Sequence, residues 1–217
     1  MPKTILLRSG WQTVNIGDIA HTPGALALIR QYMPDAHVIL WASRRLDRGA
    51  GDLLRRTFPD VEIVDAGNEV ALNSAFDRAD LFIHGSGSNF PGRLQANQWH
   101  EATGKPFGLL GVTVERPEES VDLLNAASFI FTRETASLKV LGREGITCPI
   151  QAFAPDATFA MAIRDDAGAR SRMAEHSLEP GRFLCIVPRM RYTPYHRIRE
   201  NHGWDPQRIQ FVEQHNA

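Results

Sequence analysis

The sequence predicts an α/β fold built on a doubly wound, mainly parallel sheet. Three observations carry that expectation. Short apolar runs recur along the chain, helical segments separate them, and Gly, Asp or Pro bounds each run. Runs of this length with Val, Ile and Phe read as strands buried on both faces. Their alternation with helices at this spacing makes βαβ units and a Rossmann-like sheet.

Thr4–Leu7 (TILL) is the first strand. The helix after it is read from Thr22 as N-cap and Pro23 at the first helical position. Leu26, Ile29 and Met33 then share one face, and "NIGD" is left as the loop before the helix. His37–Ala42 (HVILWA) is the second strand, and a helix through "DLLRRTF" leads to Val61–Val64 (VEIV). Asp80–Gly85, Pro106–Val112 and Ser128–Thr132 continue the alternation. "FTRETASLKVLGREGI" ends a strand and opens a helix with Leu138 and Leu141 inward, which Gly142 or Gly145 can close.

The pattern changes at "RDDAGARSRMAEHSLEPGR" (Arg164–Arg182), a polar helix and a Pro-Gly turn. "FLCIVPRMR" (Phe183–Arg191) then starts another strand, followed by one loop and at most one helix. One strand and one helix cannot bury a core alone. The expected organisation is a first domain over residues 1–180 and, over 181–217, the start of a second domain that this chain does not complete.

Bulk properties exclude several function classes. The formal net charge of −1 gives no global field for nucleic acid. No stretch approaches the roughly 20 apolar residues of a membrane span, and the N-terminal apolar run is too short for a signal peptide. Cys148 and Cys185 have no metal or C-x-x-C spacing and read as free thiols. The eight histidines show no H-x-x-x-H or H-E-x-x-H spacing, and no G-x-S-x-G elbow occurs. A cytoplasmic protein without metal or cofactor is expected. Self-association, as a homo-oligomer, stays open.

Chemistry is expected at the carboxyl edge of the sheet, where loops of parallel strands bind ligands. Asn15, Gly17 and Asp18 precede a helix start, which favours anions. Asp18 would repel an anion, so a sugar hydroxyl or an arginine is its natural partner. The same stretch also reads as an Asn/Asp-stabilised turn. Gly85, Ser86, Gly87 and Ser88 form a G-x-G turn able to cradle a phosphate or carboxylate. The full dinucleotide pattern fails, because Phe90 stands at its third glycine. His84 reads as a packing residue. Arg133 ends a strand, where its guanidinium can fork onto an anion or pair with Asp156 or Glu134. Glu134 also suits the helix dipole. Arg189 and Arg191, interleaved with Tyr192 and Tyr195, read as a local anion site or a solvated loop.

In order, "NIGD", "DLFIHGSGSNF", "TRETASLKVLGREG", "PDATF" and "FLCIVPR" resemble the polysaccharide pyruvyl transferase family over nearly the whole chain. The resemblance implies a GT-B-type architecture of two Rossmann-like halves facing across a cleft. It implies transfer of the enolpyruvyl unit of phosphoenolpyruvate to a saccharide or lipid-linked saccharide, giving a pyruvate ketal in cell-surface polysaccharide or exopolysaccharide biosynthesis. Asp18 and Arg189 are then the catalytic candidates. Asn15, Gly17, Gly85, Ser86, Gly87, Ser88, Arg133, Glu134, Asp156 and Arg191 are the substrate-binding ones. The sequence departs from the family in its "GSG" triplet and in lacking the Arg-Leu-His segment that supplies the general acid. Two other readings stay open, a nucleotide-sugar glycosyltransferase of the same fold and a non-catalytic binding fragment.

Arg189 yields a first prediction. Lysine cannot reproduce the fork of a guanidinium. In an active protein, Arg189→Lys should lower kcat/KM for phosphoenolpyruvate about a hundredfold or more, or about 3 kcal/mol. Steady-state kinetics beside Arg191→Lys checks it. A near-wild-type Arg189→Lys with a crippled Arg191→Lys would move the site two residues along.

Overall fold

The computed structural model describes residues 3–10, 12–42, 46–186, 190–198 and 203–216. The chain divides into two compact units, Met1–Ile163 and Arg164–Ala217. The polar helix that the sequence grouped with the first domain therefore falls in the second unit.

The first unit alternates strands and helices as its apolar runs dictate. In chain order it holds β1 (Thr4–Ser9), α1 (Ile16–Tyr32), β2 (His37–Ala42), α2 (Ala50–Thr57), β3 (Glu62–Asp65), α3 (Glu69–Arg78) and β4 (Leu81–His84). It continues with β5 (Gly87–Ser88), α4 (Arg93–Thr103), β6 (Phe107–Thr113), α5 (Val121–Ala126), β7 (Phe129–Thr132), α6 (Thr135–Arg143) and β8 (Gln151–Phe153). A 3-10 turn, Ala157–Ala160, follows. The strand order is β3-β2-β1-β4-β6-β7-β8, with β5 paired to β6. Every pairing is parallel. The chain thus winds outward from β1 in one direction and then restarts at β4 on its other side. That reversal is the topological switch point where sheets of this class bind ligands.

Alternation along the strands splits the core between the two faces. Leu6 joins one cluster, while Ile5 and Leu7 join the other. Leu26 and Ile29 of α1 and Leu54 of α2 cover the second face. Phe76 of α3, Trp99 of α4, Leu124 of α5 and Leu141 of α6 cover the first. There Trp99 meets Phe76 edge-on at 5.3 Å and stacks on Phe82 at 6.0 Å. Pairs of this kind add about 0.5–1.5 kcal/mol each beyond area burial. Helix α6 ends as expected near Gly145, whose φ is +68°. The Ile146 amide bonds Leu141 O and the Gly145 amide bonds Gly142 O, a Schellman closure.

The start of α1 corrects the sequence reading. The helix begins at Ile16, not near Thr22, and Pro23 lies inside it. Asn15 is the true N-cap, its Oδ1 accepting from the Gly17 amide at 3.0 Å. Thr22 does not cap. It donates to Ser9 Oγ at 3.0 Å and ties the helix to the end of β1. Pro23 costs the helix one hydrogen bond. The run from Ala20 to Leu26 is buried throughout, and tertiary packing overrides the local signal.

The second unit holds α7 (Asp166–Glu175), α8 (Tyr195–Ile198) and α9 (Pro206–Asn216). Its described residues contain no strand, so Phe183–Ile186 departs from the expected extended run. Leu184 and Ile186 are 82% and 74% exposed. A strand needs a neighbour for its amides and carbonyls, and none is supplied among the described residues of this unit. Val187, Pro188 and Arg189 lie outside the described residues. Asn216 closes the unit by accepting from the Tyr192 amide at 3.0 Å and donating to Tyr192 O at 2.7 Å.

Gly24 sits directly against the backbone of the Ala157 turn. A Cβ built there would meet Ala157 O at 1.9 Å. Gly24→Ala should cost about 3 kcal/mol through overpacking. Gly142→Ala, with nothing within 4 Å, should be neutral or gain up to about 1 kcal/mol. Urea denaturation of the two variants separates them, and equal midpoints would refute the contact.

Candidate active site at the switch point

The loops at the carboxyl ends of β1, β4, β6, β7 and β8 converge on one sheet edge. Helix α1 contributes a stripe at i, i+3 spacing, with Asp18, His21 and Gly24 facing the same way. Because Gly24 has no side chain, the Ala157 turn packs directly on α1 and carries Asp156 to His21. His21 Nε2 lies 3.3 Å from Asp156 Oδ2, and its Nδ1 lies 3.9 Å from Asp18 Oδ1. His21 is 6% exposed, and Nδ1 has no hydrogen-bond partner among the described residues. Gln12 Nε2 donates to Asp18 Oδ2 at 2.5 Å and holds that carboxylate in place.

Arg133 extends the cluster. Its Nη1 donates to Asp156 Oδ2 at 2.8 Å and its Nε to Thr113 Oγ1 at 2.7 Å. The pairing of Arg133 with Asp156 is the structural alternative weighed for this residue. Glu134 accepts from Thr113 Oγ1 at 3.2 Å and from the Ser137 hydroxyl. Ser137 in turn accepts from the Val114 amide at 2.8 Å. Three carboxylates, one guanidinium and one imidazole therefore touch in sequence, from Asp18 through His21, Asp156 and Arg133 to Glu134.

The glycine loop is a scaffold more than a cradle. Gly85 is required because a Cβ there would meet Ser9 Oγ at 2.8 Å. Ser86 is fully buried. Its hydroxyl donates to Leu110 O at 3.1 Å and accepts from the Ala157 amide at 2.9 Å. Gly87 and Ser88 pair with Val112 and Thr113 of β6, so part of their backbone serves the sheet. His84 packs as expected. Burial pushes its imidazole down to about 3, and neutral Nε2 accepts from the Gly92 amide at 2.9 Å. Phe90, at the position a glycine occupies in dinucleotide loops, takes φ +48° and meets the His84 ring at 4.8 Å. Asn89 before it has φ +56°. Two consecutive left-handed residues with side chains cost about 1–2 kcal/mol each.

Two buried residues at the ends of the first strand and helix escape the sequence reading, and only His21 touches the cluster. His21 follows NIGD by three residues, but its role appears only once α1 starts at Ile16 and the i, i+3 relation to Asp18 exists. Arg8, 5% exposed at the end of β1, donates to Trp41 O at 3.1 Å and stacks over that ring. Burial lowers its pKa to about 10. Arg191 lies in the second unit, with its guanidinium over the Tyr192 ring. Arg189 is outside the described residues. No group of three His, Cys, Asp or Glu side chains among the described residues is placed to hold one metal ion, and no described helix is long and apolar enough to cross a membrane.

Asp156 makes the cluster pH-sensitive. Burial pushes its carboxyl up, but hydrogen bonds from His21, the Thr158 amide and Arg133 outweigh burial and hold it well below the usual carboxylate range. A carboxyl depressed on folding stabilises the fold above its unfolded pKa, and that stability is lost as pH falls toward the folded value. The melting midpoint should therefore decline as pH drops below about 4. Asp156→Asn should cost about 1–3 kcal/mol at neutral pH and show a shallower acid decline. Equal acid slopes for the two proteins would contradict this assignment.

Comparison with curated proteins found no match. Among solved structures, TcCGT1 in complex with UDP is 13% identical, with a TM-score of 0.45 over 72% of this chain and 51% of that one. S. aureus MnaA with UDP is 13% identical, with a TM-score of 0.41 over 81% and 45%. A short-chain dehydrogenase/reductase from Veillonella parvula in complex with NADP is 16% identical, with a TM-score of 0.34 over 51% and 48%. The chain spans about half the length of these three structures. The polysaccharide pyruvyl transferase family model matches residues 15–217, from the N-cap of α1 through the second unit, and the chain belongs to that family.

Proposed function

We propose that this chain contributes to a pyruvyl transferase that moves the enolpyruvyl unit of phosphoenolpyruvate to a saccharide or lipid-linked saccharide, in the cytoplasm, for cell-surface polysaccharide. One observation carries the reading beyond family membership. A buried histidine at the switch point is oriented by Asp156 and turns an unpartnered Nδ1 toward Asp18.

The chemistry distributes as follows. Two sugar hydroxyl oxygens form bonds to the carbon that bears the phosphate, and the carbon–oxygen bond to phosphate breaks. One hydroxyl proton ends on the methylene carbon, which becomes a methyl, and the other leaves with phosphate. Asp18 accepts the proton of an attacking hydroxyl, and His21 relays it. Asp156 holds the imidazole through Nε2, and Arg133 holds Asp156. The mutually contacting groups carry three carboxylates against Arg133 and His21. That balance suits a neutral hydroxyl-bearing ligand better than the phosphate and carboxylate of the donor. Donor recognition is therefore assigned to further arginines, Arg189 and Arg191 among them. On this reading the 217 residues alone do not turn over.

The test joins this chain to the C-terminal half of a family member that carries the Arg-Leu-His segment. It follows phosphate release and the ketal methyl signal by NMR. Activity is expected only in the joined protein. Asp18→Asn and His21→Gln should each lower kcat about a hundredfold or more. Ketal formed by the chain alone would refute the division of labour. Turnover of a nucleotide sugar in place of phosphoenolpyruvate would replace the reading with a glycosyltransferase.

A further inference from the structure

A cavity of about 340 Å³ opens beside the cluster, between the loops that follow β5 and β6. Its volume lies within the range of about 300–1,000 Å³ typical of small-molecule pockets. Phe90, Pro91, Leu94, Val114 and Leu124 give it apolar surface, and Leu94 is 72% exposed there. One wall is braced. Arg93 donates to Glu119 Oε2 at 2.8 Å and to Glu119 O at 3.2 Å, fixing the 3-10 turn Pro117–Glu119. The left-handed turn at Asn89 and Phe90 braces the other, with Phe90 seated on His84.

Three polar side chains on this lining are uncommitted. Asn89, Glu115 and Arg116 make no side-chain hydrogen bond or ion pair among the described residues. They supply an amide, a carboxylate and a guanidinium, so the free charges cancel. Arg93, the other cation, is already neutralised by Glu119. An anion finds no excess of positive charge here. Such a lining suits a neutral pyranoside: its apolar C–H face would pack on Pro91 and Leu94, and planar amide, carboxylate and guanidinium groups would pair its neighbouring hydroxyls. The cavity also adjoins the reactive cluster. Val114 on its wall follows Thr113, the partner of Arg133, and the Val114 amide donates to Ser137, the partner of Glu134.

We propose that this cavity, lined by Asn89, Leu94, Glu115 and Arg116, binds a neutral pyranoside. As the subsite for the sugar acceptor it rests on the pyruvyl transferase reading, whereas sugar binding does not. The probes are methyl β-D-galactopyranoside and methyl β-D-mannopyranoside, titrated to millimolar excess into the ¹⁵N-labelled 217-residue protein. At least one should shift the amides of residues 89–94 and 114–120. The double variant Glu115→Ala/Arg116→Ala, altered only at exposed side chains, should weaken that binding at least tenfold. Arg172→Ala, an exposed change in the second unit, should not. No shift in these loops with either glycoside, or shifts confined to other loops, would overturn the inference. So would a double variant that binds as the wild type does. The joined protein separates the two claims. Glycoside binding here without ketal formation supports the sugar site and removes the transferase. Ketal formation with glycosides bound elsewhere does the reverse.

Discussion

Everything at the switch point depends on one close approach, the carbonyl of Ala157 against the bare Cα of Gly24. Without that contact the turn after β8 could not lie on α1. Asp156 would then be held away from His21, and Arg133 would keep only Thr113 and Glu134. The approach is fixed from both sides. Ser86 accepts the Ala157 amide from the buried loop after β4, and the Thr158 amide bonds Asp156 Oδ1 at 2.9 Å. A glycine in mid-helix costs about 1 kcal/mol of helix propensity. Here that cost is offset by the packing and by the carboxylate the packing delivers.

The polar groups divide into two kinds. His84, Ser86 and Gly85 are buried and spent on holding the loop after β4 against β1 and β6. Asp18, His21, Asp156, Arg133 and Glu134 are less fully consumed and meet in a continuous chain of contacts. A histidine fixed at one ring nitrogen and open at the other is suited to holding a proton at a defined place. Such a site gains from a rigid scaffold, because its atoms need not be reorganised at the moment of reaction.

The two units differ in how they are stabilised. The first has a core on each face of a parallel sheet, so its central strands are buried by helices on both sides. The second rests on rings and paired charges, with Tyr192 against Phe211 at 5.2 Å and His196 on Glu213 at 2.5 Å. Its apolar run at Phe183, Leu184 and Ile186 stays largely in solvent. Apolar sequence alone does not make a strand. It makes one where neighbouring strands take up the backbone groups.

The parallel sheet, its strand sequence and the edge on which the loops gather were legible in the sequence. Alternating apolar runs of strand length leave few other ways to bury them. So was the family, through motifs that recur in a fixed order at strand ends and helix starts. Asp18, Arg133 and Asp156 were visible as candidates, since their positions follow strand ends. The start of α1 was not legible, because Thr22-Pro23 is a strong local signal that burial of Ala20 to Leu26 overrules. His21 was hidden with it, since its relation to Asp18 exists only on a helix that begins at Ile16. The short strands β5 and β8 were too brief to show a period. The sequence by itself determined the layers and the loop edge, which follow from periodicity and chain order. Only the tertiary structure decided which side chains meet, because a contact between residues 24 and 157 is set by packing across the sheet and leaves no local trace.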